Sequence, residues 1–115
     1  MSRRDPFVRL DHMRDYARQA IQMATGRTRK ELDTNDMLRL ALTHLVELVG
    51  EAASQFPEEN RRAFPQIPWL KVVSMRHRLI HGYFKVDLDL VWKTVQRDLS
   101  TLLNALASPD RSPEL

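Results

Sequence analysis

The chain has 115 residues, one domain's worth, and its 43% apolar and 29% charged content is globular rather than disordered. It has no cysteine, which excludes disulfides and cysteine-based metal sites and fits a reducing, cytoplasmic setting. The net charge of +3 permits a polyanionic partner without requiring one, and no apolar run approaches the roughly 20 residues of a membrane span. Met1 to Pro6 leads into a charged amphipathic segment, so no secretory signal is expected. A chain this short buries a modest core, to which a dimer interface would add.

Asp5-Pro6 predicts a helix start, with a capping carboxylate and then proline in the first turn. Phe7, Leu10, Ala17, Ala20, Ile21 and Ala24 follow at helical spacing, and Gly26 stops the helix. Thr28 to Glu31 has the form of a capping box and predicts a short helical lead-in. Thr34 is then the expected cap of a second long helix. Its apolar residues, from Met37, Leu38 and Ala41 to Ala53 and Phe56, make a face wide enough for the centre of a bundle. Pro57 ends it, and Glu58 to Phe64 has room for one or two helical turns. Pro68 suits the first turn of a third helix, with Leu70, Val73, Leu79 and Ile80 inward and Gly82 just past its end. Asp87 caps a last helix on which Leu88, Val91, Val95, Leu99, Leu102, Leu103 and Leu106 form a stripe, closed by Ser108-Pro109. No stretch alternates as a strand would. The expected fold is all-α: an up-and-down bundle of four main helices plus short ones, over residues 5–107, with flexible ends at 1–4 and 108–115.

The chemistry concentrates in Met75-Arg76-His77-Arg78-Leu79-Ile80-His81-Gly82-Tyr83. Arg76 and His81 are five residues apart, so on a continuous helix they would point roughly 140° away from each other. They converge where the helix ends near His81, or where a second chain supplies the other group. Arg is a permanently charged fork that matches phosphate oxygens, and His takes or gives a proton near neutral pH. RNA brings its own nucleophile, the 2′-hydroxyl, so a metal-free ribonuclease needs a base, an acid and a cation on the phosphate. Two chains around one cleft would supply two of each residue. The plainer reading is that a His at a helix end merely caps it and favours the helix dipole. His77 and His81 have a helical metal-ligand spacing, but no third ligand is apparent, and no metal or other cofactor is expected. Glu47 and Glu51 repel across one turn unless paired, and either can orient Arg76 or Arg78; a solvated face is the alternative. Arg78 reads as a supporting RNA contact or a surface charge. Trp69 and Trp92 read as core, and His12 and His44 as surface or bundle residues.

The set Arg76-x4-His81-x-Tyr83 resembles the Arg-x4-His-x-Tyr motif of HEPN toxins of the HepT type. Val49-Gly50-Glu51-Ala52-Ala53, Ile67-Pro68-Trp69 and Val86 through Trp92 match its surroundings in order, and the likeness runs from about Asp5 to Leu106. The resemblance implies a HEPN helical bundle, a homodimer with its motifs near the interface, and metal-independent RNA cleavage. His81 would be the acid/base, Arg76 the phosphate-binding group, and Glu51, His77 and Arg78 supporting residues. It also implies a minimal nucleotidyltransferase antitoxin as partner, able to transfer AMP to Tyr83. Similar chains commonly carry Asn where this one has His77, which offers a second titrating group. A different class of function stays open: a non-catalytic accessory subunit of a nucleotidyltransferase that binds nucleotide or RNA. A helical dimer without a ligand is the third.

Overall fold

Asp5 opens the first helix, its carboxylate accepting the Phe7 N–H at 2.9 Å and its carbonyl the Val8 N–H at 3.0 Å. The computed structural model describes Asp5, residues 7–81 and residues 85–107, with backbone alone for Ile80 and His81. The expected tails at 1–4 and 108–115, together with Pro6, Gly82 and Tyr83, lie outside the described residues.

Helix α1 (Val8–Ala24) turns Leu10, Met13, Ala17, Ala20 and Ala24 inward. Its three alanines on one stripe let it pack closely along α3 (Asp36–Ser54), the longest helix of the described chain. α3 buries Leu38, Leu42, Leu45, Val46, Val49, Ala52 and Ala53, as a central helix should. Between them lies α2 (Glu31–Thr34), introduced by the expected box: the Glu31 carboxylate accepts the Thr28 N–H at 2.7 Å. That backbone hydrogen bond holds the Glu31 carboxyl below its ordinary range, with the nearby Arg27 adding to the effect.

Asn35, not Thr34, caps α3; its side-chain oxygen accepts the Leu38 N–H at 3.0 Å, while Thr34 is still the last residue of α2. Met37, expected on the inner face, is 82% exposed. After Pro57 a 3₁₀ turn (Glu58–Ala63) leads to Pro68 and two short helices, α4 (Trp69–Val73) and α5 (Met75–Leu79), where one helix was expected. The helix does not run on to Gly82. It ends at Leu79, and Ile80–His81 (β1) pair antiparallel with Lys85–Val86 (β2), a two-stranded ribbon that no alternation of apolar residues announced. Two residues per strand are too few to show a period of two.

Asp87 then caps α6 (Leu88–Lys93) by accepting the Leu90 N–H at 3.0 Å, as its position before the stripe implied. The helical path continues through a wide π stretch (Thr94–Asp98) into α7 (Leu99–Leu106). Val91, Val95 and Leu99 are each four apart, more than the 3.6 of an α-helix, and a wider turn keeps them on one buried face. One cluster of buried side chains joins α1, α3, α4, α5 and α7. Each fully buried leucine in it, such as Leu10, Leu42 or Leu99, stabilises the fold by about 1.5–3 kcal/mol. The all-α expectation therefore holds, with the small ribbon added. Among the described residues no helix is long and apolar enough to cross a membrane.

Candidate functional site

Trp69 anchors the segment that carries the motif. Its indole N–H donates to the Phe64 carbonyl at 3.1 Å, its ring stacks on Phe56 at 5.4 Å and 12°, and the Arg61 guanidinium lies 5.4 Å from its centre. This is the core role expected of it. From that anchor α4 and α5 lie against α3, burying Val72, Met75 and Leu79. The approach is closest at Gly50, where a Cβ would stand 3.1 Å from the Val72 carbonyl oxygen and 3.5 Å from the Met75 Cβ.

With Met75 and Leu79 inward, Arg76 and His77 face solvent and Arg78 is half-buried. Arg76 Nη1 stands 3.8 Å from Glu51 Oε1, and the other Glu51 oxygen accepts the Gln55 side-chain N–H at 2.9 Å. This ion pair joins the motif arginine to α3. Glu47 plays no part in this and instead faces His44 at 3.9 Å. Arg78 reaches the other way, its Nη1 donating to the Lys71 carbonyl at 3.5 Å, and Lys71 Nζ stands 3.5 Å from Asp98. His77 has no hydrogen-bond partner among the described residues.

His81 stands two residues past the end of α5, in β1, where its Cα pairs with that of Lys85. The Asp87 N–H donates to the Leu79 carbonyl at 2.7 Å, closing the base of the ribbon beneath the motif. The helix end that Arg76 and His81 need in order to converge is therefore present. The His81 side chain and Tyr83 lie outside the described residues. Among the described residues no group of three His, Asp or Glu side chains stands close enough to hold a metal ion.

Three residues of this site carry no role in the sequence pattern alone. Gly50 stands in the block Val49 to Ala53 without one; its signal is a glycine inside an otherwise strong helix. Gln55, four residues beyond Glu51, is visible there only as a helical neighbour. Lys85 becomes a neighbour of His81 only through the pairing of β1 with β2, which the sequence pattern did not announce.

The segment thus places an exposed arginine beside a carboxylate of α3, with a histidine two residues past the helix end and Arg78 and Lys71 nearby. The family described as "Ribonuclease HepT-like" matches residues 13–108, and the chain belongs to it. It is 37% identical over 97 residues to "Probable ribonuclease HepT" of Thermococcus cleftensis, covering 80% of this chain and 86% of the relative. It is 34% identical over 99 residues to "Putative RNase MJ1380" of Methanocaldococcus jannaschii, covering 86% of this chain and 91% of the relative. No solved structure gives a significant match. The fold is accordingly all-α and HEPN-like.

Proposed function

We propose that this chain is the toxin of a toxin–antitoxin pair: a metal-independent endoribonuclease that acts in the cytoplasm as a homodimer, through a single domain at 5–107. The observation that carries the reading is Arg76, exposed in the first turn of the short helix α5 and paired with Glu51, with His81 two residues past the end of that helix. Membership of a ribonuclease family supports RNA as the substrate.

In this reading Arg76 binds the scissile phosphate and steadies the charge that builds on it. One His81 takes the proton of the 2′-hydroxyl, and that oxygen attacks phosphorus. The bond from phosphorus to the 5′-oxygen breaks, and the His81 of the second copy, in its protonated form, gives the leaving oxygen its proton. The products are a 2′,3′-cyclic phosphate and a free 5′-hydroxyl. One chain has one His81 and one Arg76, so the second copy completes the acid/base pair. Met37 and Leu70, 82% and 84% exposed, are apolar side chains that such a contact would cover. Glu51 orients Arg76, Arg78 contributes charge to the RNA track, and His77 is a further hydrogen-bonding contact to the substrate beside Arg76.

The antitoxin in this reading is a minimal nucleotidyltransferase. It moves AMP from ATP to the Tyr83 oxygen with release of pyrophosphate, adding negative charge and bulk to a cleft that must accept RNA phosphate.

The exposed cations Arg76 and His77 would equally serve a nucleotide-binding accessory subunit of a nucleotidyltransferase. Arg76→Ala separates the two readings. A ribonuclease loses cleavage by roughly 100-fold or more, whereas a binding module loses only nucleotide affinity. Intact mass on the same preparation tests the modification: Tyr83→Phe should abolish the added AMP, and an unchanged adduct would sink the assignment of Tyr83.

A further inference from the structure

Beside the motif runs a groove of about 550 Å³ between α3 and the β2–α6 junction. Its size falls among those of small-ligand sites. Leu40, Val86 and Leu88 give it apolar walls, while Thr43, His44 and Lys85 give it polar ones. The groove starts at the motif, because Lys85 is the Cα partner of His81.

Two of its polar groups, on Lys85 and Glu47, open onto the groove, and a third lies beneath its surface and reaches a ligand only if the Thr43 side chain turns. The Thr43 hydroxyl oxygen is buried and has no hydrogen-bond partner among the described residues. Lys85 is exposed and forms no ion pair among the described residues. Glu47 also lines the groove and is only 25% exposed; beyond its 3.9 Å approach to His44 its carboxylate keeps room to accept further hydrogen bonds. Arg39, on the same wall, is committed to Asp36 and to the Leu32 carbonyl.

We propose that this groove is a base-reading subsite that takes the nucleoside next to the scissile phosphate of a single-stranded RNA. Apolar walls suit the flat faces of a base. Lys85 and His44 hold the adjoining phosphate. Glu47 accepts from an exocyclic amine, and the Thr43 hydroxyl gives or takes one further bond at the base edge. Facing position 4 of a pyrimidine, a carboxylate that only accepts favours the N4 amine of cytosine over the O4 carbonyl of uracil. Lys85, a cation with no ion pair among the described residues, gives a nucleotide phosphate a partner at the rim. The proposal rests on the ribonuclease reading for its placement beside a cleaved bond, but not for the binding itself.

The test needs no cleavage. The full chain is titrated with the four nucleoside 3′-monophosphates, and backbone amide shifts are followed by NMR. Shifts are expected to concentrate at 39–47 and 85–88, with uridine monophosphate bound about fivefold or more weakly than the cytidine compound. Glu47→Gln should narrow that gap to less than about twofold, and Lys85→Ala should weaken all four nucleotides alike. Thr43→Val, whose spectrum also reports folding, should reduce discrimination without loss of phosphate binding. No shift in the groove, a base preference unchanged in both Glu47→Gln and Thr43→Val, or shifts that follow protein concentration in place of nucleotide would each overturn the subsite. Groove binding in a protein that cuts no RNA would sink the ribonuclease reading and leave the subsite standing. His81-dependent cleavage without groove binding would do the reverse.

Discussion

Glu51 and Arg76 are each about half exposed and 3.8 Å apart, so their attraction is screened and contributes less than about 1 kcal/mol to stability. In the proposed reading its value lies in direction, with Glu51 orienting the guanidinium. Glu51→Ala is therefore expected to leave the melting temperature nearly unchanged while lowering RNA cleavage by roughly 10- to 100-fold. Parallel thermal melts and cleavage rates check this, and a large loss of stability with normal specific activity would contradict it. Thr94 is the opposite case. It is fully buried in the π stretch, and its hydroxyl has no hydrogen-bond partner among the described residues. Thr94→Val removes that group at nearly constant shape and should stabilise the fold by about 1 kcal/mol, read by denaturant unfolding. The sequence marked Arg76 and His81 by residue type and spacing, and it offered Glu51 as one of two candidate orienters. It could not choose between Glu47 and Glu51, because both sit on the same helical face and only the placement of α5 decides which meets Arg76.

Among the helices and their junctions, Gly50 sets how closely the motif segment approaches α3. Gly50→Ala would place a Cβ 3.1 Å from the Val72 carbonyl, tighter than ordinary contact, and α4–α5 must give way. The expected cost is about 1–3 kcal/mol, accompanied by a drop in cleavage as Arg76 moves relative to Glu51. Urea unfolding with kcat and KM measured on the same variant separates the two effects. The start of α2 carries a pH dependence. The Glu31 carboxyl is held below its ordinary range by the Thr28 N–H, so its contribution is present above the unfolded value and is lost as pH falls through the folded one. Glu31→Gln should remove that acid-side slope in thermal stability between wild type and variant, while an unchanged slope would assign it to other carboxylates. Helix positions were legible because caps and periodicity are local: Asp87 caps α6 as read, while Asp5 and the Glu31 carboxylate accept the Phe7 and Thr28 N–H groups although α1 and α2 begin later than read, at Val8 and Glu31. The break at Ser74 and the early stop at Leu79 were not, because they follow from packing on Gly50 and from pairing with Lys85–Val86, both distant in sequence.

For the molecule as a whole, the wide apolar face of α3 fixed the bundle, and α1, α4, α5 and α7 assemble around it as an all-α fold. In the proposed mechanism the second proton-transfer group is the His81 of another copy, so cleavage requires two copies. Met37→Glu should then convert the dimer to a monomer in sedimentation velocity and reduce cleavage in the same concentration range. A monomer that cuts RNA as well as wild type would remove the need for a partner His81. The most direct test of the mechanism is RNA cleavage by purified protein in EDTA, wild type against His81→Ala. The expected result is cleavage by wild type that yields 2′,3′-cyclic phosphate ends, lost in the variant. Equal cleavage by both proteins, or wild-type cleavage abolished by EDTA, would contradict it.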